Sequence, residues 1–148
     1  MTIKEAIERV NRLIHNEYVT EEKIKWLSAV DTLLQRELVM RHEGGIERET
    51  AYTVDNLETE LIAESPYDEM YILYLILKIH FFNGETELYN NAAEEYNNVL
   101  HEYRKWYVRN HSDLPTPKFN YDTNTNSFNA DFFNRAMQSA NGYKGEVT

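Results

Sequence analysis

The chain contains no cysteine, and this absence removes several kinds of site. Without thiols there is no disulfide, no thiolate ligand for zinc or an iron–sulfur cluster, and no cysteine nucleophile. Chains without cysteine are also typical of proteins that stay inside the cell. We therefore expect an intracellular protein without covalent cross-links.

Long hydrophobic runs are missing as well. The longest apolar stretch, Met70 to Phe82, is interrupted by Lys78 and His80. It is shorter than the roughly 20 apolar residues that span a bilayer. The N-terminal residues Met-Thr-Ile-Lys-Glu enter a helical pattern directly and lack the apolar core of a signal peptide. These features predict a soluble protein with no membrane partner.

Glycine and serine are scarce, which leaves little for phosphate binding or nucleophilic catalysis. The five glycines form no phosphate-binding loop, and the Gly44-Gly45 pair stands at the end of a predicted helix. The few serines show no G-x-S-x-G motif. Most carboxylates fall on predicted solvated helix faces. The sequence therefore predicts a protein that is not an enzyme.

The five histidines lack the spacing of a metal site. No glutamate precedes any of them by three residues, and no two have the H-x3-H spacing of ligands on one helix face. His80, in the most apolar segment, is interpreted as a hydrogen-bonded core or interface histidine. His101 and Glu102 are adjacent, but neighbours on a helix point in different directions. We predict no metal and no cofactor.

Acidic and aromatic residues are the types in excess. The formal net charge is -10, and aromatic residues make up 13% of the chain, with 11 tyrosines. Binding to phosphates needs clustered lysine and arginine, so this excess of acidic residues argues against electrostatic binding to nucleic acid. It does not argue against DNA that slides past without sticking. Tyrosine is enriched at protein interfaces, so the composition favours protein contacts.

Two N-terminal helices are predicted from capping residues and apolar spacing. Thr2 caps the first helix, and Glu5 completes a capping box with it. Thr20 is predicted to cap the second helix, and Gly44-Gly45 to end it. Within residues 46–64, Ile46 to Val54 show a rough polar–apolar alternation, which predicts an extended segment or a small hairpin.

Two further helices complete a predicted all-α, four-helix bundle-like core over residues 1–109. Ser65 is predicted to cap the third helix, with Asp68 at its third position. This helix is apolar nearly all round, so we expect it at the centre of the bundle. Asn83-Gly84 ends it, and a fourth helix begins near Thr86 as its antiparallel neighbour.

Residues 110–148 differ from the core in composition. They are rich in asparagine and poor in aliphatic side chains, yet they keep several aromatic residues. Disordered tails are usually poor in aromatics. We therefore predict a C-terminal arm that docks on a neighbouring copy or another partner. Its aromatic residues include Phe119, Tyr121, Phe128, Phe132 and Phe133.

Tyrosines recur at helical spacing along the third and fourth predicted helices. They are Tyr67, Tyr71, Tyr74, Tyr89, Tyr96 and Tyr103. One interpretation is that they form the edges of the core, with hydroxyls that reach water. The other is that they form a subunit interface. Both interpretations stay open.

Three segments carry a family resemblance. They are Y-V-T-E-E-K-I-K-W-L at Tyr18 to Leu27, with R-H-E-G-G at Arg41 to Gly45; L-E-T-E-L-I-A-E-S-P-Y-D-E-M-Y at Leu57 to Tyr71; and F-N-G-E-T-E-L-Y-N-N-A-A-E-E-Y-N at Phe82 to Asn97, followed by R-K-W-Y-V-R-N-H. In this order they resemble the head–tail connector (adaptor) proteins encoded by tailed phages and prophages of Gram-positive bacteria. The resemblance covers about residues 1–111 and includes no catalytic fingerprint.

The resemblance implies a structural virion protein of the neck. Such adaptors are small helical bundles that assemble, after synthesis in the host cytoplasm, into a ring that is commonly of twelve copies beneath the portal protein. The ring extends the DNA channel, which DNA crosses without specific binding, and presents a surface to the next neck or tail-completion protein. By this resemblance the C-terminal arm docks on the portal or on a neighbouring copy, and its anchors are Phe119, Tyr121, Phe128, Phe132 and Phe133. The loop that carries Glu47, Arg48 and Glu49 faces the channel or the tail-side partner.

Two other hypotheses remain. An acidic helical protein can mimic DNA and inhibit a DNA-handling enzyme; this predicts tight binding to that enzyme and no ring. A metal-dependent or acid–base enzyme is the weaker of the two, because its motifs are missing. The size of the particle formed with portal protein separates the connector from the DNA mimic, and bound metal would support the enzyme.

Overall fold

The computed structural model describes residues 1–111, which form four α-helices. They are α1 (Ile3–Leu13), α2 (Thr20–Glu37), α3 (Glu69–Asn83) and α4 (Thr86–His111). Two short 3₁₀ turns lie between α2 and α3, at Val39–Arg41 and Val54–Asn56. Residues 1–111 contain no β-strand, and the predicted all-α class is confirmed.

The first helix begins as predicted. Thr2 Oγ1 accepts a hydrogen bond of 3.2 Å from Glu5 N, and Glu5 Oε2 accepts one of 2.8 Å from Thr2 N. The capping box is therefore complete. The buried side chains of α1 lie on the predicted stripe and are Ile3, Ala6, Ile7 and Val10.

The bounds of α2 differ from the prediction at both ends. Val19, and not Thr20, is the N-cap residue, and no side chain caps the helix. The prediction for Thr20 is wrong because Thr20 is itself the first helical residue. The helix ends at Glu37, well before Gly44, which adopts a positive φ of 80° in a later turn. A buried side chain at Leu38 turns the chain inward before the glycines are reached.

Residues 46–64, which we call the extended segment, form no hairpin and contain the 3₁₀ turn Val54–Asn56. Their backbone partners lie at the start of α1: Ile3 N donates to Thr59 O at 3.1 Å, and Lys4 N donates to Leu57 O at 2.9 Å. The hairpin alternative is therefore wrong. The extended segment gains its hydrogen bonds from a distant part of the chain, where local alternation gives no information.

The third helix starts later than predicted and ends where predicted. Its N-cap is Asp68, without a side-chain hydrogen bond, so the predicted cap at Ser65 is wrong. Tyr67 N donates to Glu64 O at 2.8 Å, which makes a turn of the residues before the helix. Gly84 follows Asn83 with a φ of 75°, a conformation that glycine adopts without steric cost.

The predicted central position of α3 is confirmed, since it packs against α1, α2 and α4. The helix α4 packs antiparallel along α3 and continues past the predicted core boundary at residue 109, to His111. The antiparallel direction is evident in three ring pairs with centroids 5.1–5.6 Å apart: Tyr67–Tyr103, Tyr74–Tyr96 and Phe81–Tyr89. In the described part of the chain, no helix is both long and apolar enough to cross a membrane.

Candidate functional site

A buried carboxylate joins three parts of the core. Asp31 lies on α2 and is 0% exposed. Its carboxylate accepts a hydrogen bond of 2.6 Å from Tyr52 Oη and another from Tyr71 Oη. Ile62 N donates to the same group at 3.2 Å. These bonds tie α2 to α3 and to the extended segment between them.

The Asp31 network is suited to holding the fold in place. Burial raises the pKa of Asp31, although the hydrogen bonds from Tyr52 and Tyr71 act in the opposite direction. Burial also raises the pKa of Tyr71 well above its usual value. Both carboxylate oxygens are occupied by donors from this chain, and the group has no exposed surface. We assign it a structural role.

An aromatic surface forms where α2 starts, α3 ends and α4 starts. It consists of Tyr18, Trp26, Phe81, Phe82 and Tyr89, and we call it the aromatic tip. Trp26 stacks on Phe82 with 5.7 Å between ring centroids, and Tyr18 lies 5.5 Å from Trp26. Phe81 lies 5.6 Å from Tyr89. The five rings therefore form one continuous surface.

The α3–α4 turn produces this arrangement. Because Gly84 ends α3 abruptly, Phe81 and Phe82 lie in its last turn, beside the first turns of α4. Tyr18 Oη donates a hydrogen bond of 2.7 Å to Asn83 Oδ1, which holds the segment before α2 against the end of α3. Trp26 is buried beneath these residues and supports them.

The outer rings of the aromatic tip are left open to solvent. Phe81 is 56% exposed and Phe82 is 53% exposed. Single exposed apolar residues are common, whereas adjacent exposed rings are a candidate contact site. Lys78 Nζ lies 5.9 Å from the ring centroid of Phe82, so the face of this ring accepts a cation.

A buried lysine lies near the aromatic tip. Lys23 is 2% exposed, and its Nζ donates a hydrogen bond of 2.6 Å to Asn11 Oδ1. Within residues 1–111 no carboxylate pairs with it, and burial lowers the pKa of its ammonium group. It lines an open cleft with Asn11, His15 and Tyr18. Lys23 lies three residues after the start of α2, among residues that were predicted to be solvated. The sequence therefore did not indicate that Lys23 is buried.

The predicted tyrosine interface needs a correction at three positions. Tyr71, Tyr96 and Tyr103 are buried inside the chain, so their side chains are not available to a neighbouring copy. They are core residues because α4 covers α3 along its length. Burial also raises the pKa of Tyr96 to about 12. For the other three, which are partly exposed, the interface stays a prediction; they are Tyr67, Tyr74 and Tyr89.

The predicted loop residues Glu47, Arg48 and Glu49 are exposed. Arg48 Nη2 donates to Glu60 O at 2.6 Å, and Glu49 Oε1 accepts from Ala51 N at 2.8 Å. Two of the three side chains therefore stabilise the extended segment itself. Their orientation toward a channel or a tail-side partner stays a prediction. The predicted arm anchors lie outside the described residues.

The histidines do not gather into a metal site. Among residues 1–111, no three histidine or acidic side chains lie close enough together to hold a metal ion. His80 Nδ1 is hydrogen bonded to the carboxylate of Glu85, in agreement with its interpretation as a hydrogen-bonded histidine. His42 contacts Tyr107 edge to face, with 5.1 Å between ring centroids.

The accessible features of residues 1–111 are thus those of a small all-α protein with exposed aromatic side chains. No family model, curated protein or solved structure matches the chain. Sequence reasoning named Tyr89 but missed Asp31 and the Trp26–Phe82 contact. Asp31 carried one usable signal: it follows Leu27 by four residues, on the apolar face of α2.

Proposed function

We propose that this chain is a structural head–tail connector (adaptor) of a tailed phage or prophage, which works by contact and not by catalysis. In this role it forms a ring beneath the portal protein in the neck of the virion. The ring extends the DNA channel and joins the head to the next neck or tail-completion protein.

The aromatic tip is the observation that carries this proposal. Two of the three segments that resemble the connector family supply four of its five rings: Tyr18 to Leu27 and Phe82 to Asn97. These segments are far apart in sequence, and the stacked pair Trp26–Phe82 brings them together. The residues that carry the resemblance thus build the most prominent exposed aromatic surface of the described core.

The physical cost of the aromatic tip supports a role in assembly. Covering the exposed half of one phenylalanine removes about 100 Å² of apolar surface from water, which contributes about 2–3 kcal/mol. Because Phe81 and Phe82 stay exposed, the free chain lacks this stabilising free energy, and a partner that covers the two rings restores it. Such a surface is typical of a protein that functions in contact with others.

The acidic balance fits a channel through which DNA moves. A net charge of -10 opposes binding to the phosphate backbone. The alternative, an inhibitor that mimics DNA, needs a continuous acidic surface. Arg104, Lys105 and Arg109 interrupt such a surface on α4, which favours the connector.

Deleting this chain from the phage or prophage that encodes it tests the proposal. We expect DNA-filled heads without attached tails, and restoration of tails when the chain is supplied in trans. Electron microscopy of the particles gives the answer. Normal tailed and infectious particles from the deletion would contradict the proposal.

A further inference from the structure

A basic groove runs along the outer face of α4, in its last three turns. It is a shallow, widely open depression of about 390 Å³ on the surface of this one helix, lined by His101, Arg104, Lys105, Val108 and Arg109. Val108 is 46% exposed and supplies an apolar contact between the cationic groups. In an acidic chain, this concentration of basic side chains calls for a specific reason.

The position of the groove in α4 explains only part of this concentration of basic side chains. Cationic side chains are favourable in the last turn of a helix, which accounts for Arg109. Arg104 lies almost two turns before the end, where the helix dipole has little effect. Of the ion pairs within residues 1–111, one joins Lys105 to Glu102 at 2.6 Å, and none includes Arg104 or Arg109. Within the described residues, two guanidinium groups thus form no ion pair.

The aromatic tip carries the complementary chemistry. Glu17 and Glu21 are exposed and line a cleft together with Tyr18. Glu85 is exposed and lines another cleft together with Phe81. Guanidinium groups bind carboxylates through paired hydrogen bonds and stack on aromatic rings. Carboxylates at the edge of the aromatic tip, beside Tyr18 and beside Phe81, are therefore suitable partners for Arg104 and Arg109.

The aromatic tip and the basic groove of one copy cannot meet. Tyr89 lies in the first turn of α4, and Lys105 lies 16 residues later on the same helix. At 1.5 Å per residue, these positions are about 24 Å apart along a rigid element. The two surfaces can therefore pair with each other only between copies, and a second copy supplies the complement of each.

We propose that two copies of this chain associate head to tail, with the aromatic tip of one copy seated in the basic groove of the next. In this contact Phe81 and Phe82 cover Val108, while Arg104 and Arg109 pair with Glu17 and Glu21. Because the two surfaces differ, each added copy presents a free tip and a free groove. Such a heterologous contact generates a closed ring when its rotation closes. The proposal rests on the proposed function, because it supplies the subunit contact of the ring.

Sedimentation velocity on the full chain, at concentrations up to about 1 mM, tests the contact. We expect the wild type to form species larger than a dimer as its concentration rises. The groove variant Arg104→Glu/Arg109→Glu and the tip variant Phe81→Ser/Phe82→Ser are each expected to weaken self-association at least tenfold. A wild type that stays monomeric over the whole range overturns the proposal.

Two further variants control for loss of folding and for a general effect of net charge. Glu17→Lys/Glu21→Lys changes exposed side chains of the tip and leaves the rings in place, and we expect it to weaken self-association as well. Lys4→Glu/Arg36→Glu makes the same change in net charge as the groove variant at exposed positions outside both surfaces. This control is expected to associate like the wild type, and thermal unfolding followed by circular dichroism verifies that each variant is folded.

Mixing the variants distinguishes this contact from a symmetric one. The groove variant keeps an intact tip and the tip variant keeps an intact groove, so an equimolar mixture has one complete contact. We expect this mixture to form a dimer and nothing larger. A mixture that remains monomeric, or variants that associate like the wild type, overturns the proposal.

The test of the head-to-tail contact and the test of the proposed function can fail independently of each other. If the groove and tip variants associate normally and still restore tails to particles that lack the chain, the head-to-tail contact is wrong and the connector role stands. If the mixture forms the expected dimer but deletion of the chain leaves particles tailed and infectious, the contact stands and the connector role fails.

Discussion

Tyr52 Oη donates a hydrogen bond of 2.6 Å to Asp31 Oδ2, and this bond holds the extended segment against α2. Asp31 accepts further hydrogen bonds from Tyr71 Oη and Ile62 N. One carboxylate thus organises a segment that has no helix or strand of its own. The consequences for stability are direct.

Replacing Asp31 with alanine should destabilise the protein by about 3–5 kcal/mol, because buried donors lose their charged acceptor. Tyr52→Phe removes one of these hydrogen bonds and should cost about 1.5–3 kcal/mol. Urea unfolding followed by circular dichroism measures both. The exposed Glu58→Ala serves as the control. A loss for Asp31→Ala no larger than that of the control would contradict the assigned structural role.

The contribution of Asp31 to stability should depend on pH. Burial raises its pKa above the ordinary value of 3.8, so the folded state binds this proton more tightly than the unfolded state does. The stability that this group contributes is therefore fully present below the ordinary pKa and is lost as pH rises through the raised one. The unfolding free energy of the wild type minus that of Asp31→Asn should grow as pH falls across this range. A difference that grows with rising pH would mean that the hydrogen bonds outweigh burial.

Two threonines that look alike in sequence should respond differently to substitution. Thr2→Ala removes the capping box of α1 and should cost about 1 kcal/mol. Thr20→Ala removes no capping hydrogen bond, because Val19 holds the N-cap position of α2, and should change stability by less than about 0.5 kcal/mol. Thermal and urea unfolding compare the two variants. Equal losses at both positions would mean that Thr20 also caps its helix.

Replacing the buried lysine near the tip should raise stability. Lys23→Met removes a buried ammonium group that no carboxylate compensates in the described residues, and the gain should be about 1–2 kcal/mol. Asn11 Oδ1 keeps a contact of 3.4 Å with Asn16 Nδ2, so it is not left without a donor. Lys25→Met, at an exposed position nearby, is the matched control and should leave stability nearly unchanged. A loss on Lys23→Met would indicate that the ammonium group has a stabilising partner.

Deleting residues 112–148 should separate folding from assembly. Residues 1–111 form a hydrophobic core among themselves, so we expect the truncated chain to retain its helical circular dichroism spectrum and to unfold cooperatively. We also expect it to be lost from the portal, because the predicted arm anchors are removed. Gel electrophoresis of purified particles measures its incorporation. Normal incorporation of the folded truncated chain would contradict the docking role of the arm.

Local sequence signals were reliable where a structure depends on a few neighbouring residues. The capping box of Thr2 and Glu5, and the end of α3 at Gly84, are both as predicted. Local signals failed to predict the first residue of two helices, where a suitable capping residue does not occupy the N-cap position. Thr20 and Ser65 are suitable capping residues, yet the helices that follow them start at other positions.

The sequence by itself determined the all-α class, the central position of α3 and its antiparallel pairing with α4. These depend on apolar spacing, on a glycine with a positive φ, and on a link too short for any other arrangement. Only the tertiary structure decided that Tyr71 is a core residue bound to Asp31, and that Phe82 stacks on Trp26. The residues of each pair lie far apart along the chain, so their contact depends on how whole helices pack, and no pattern within either helix carries that information.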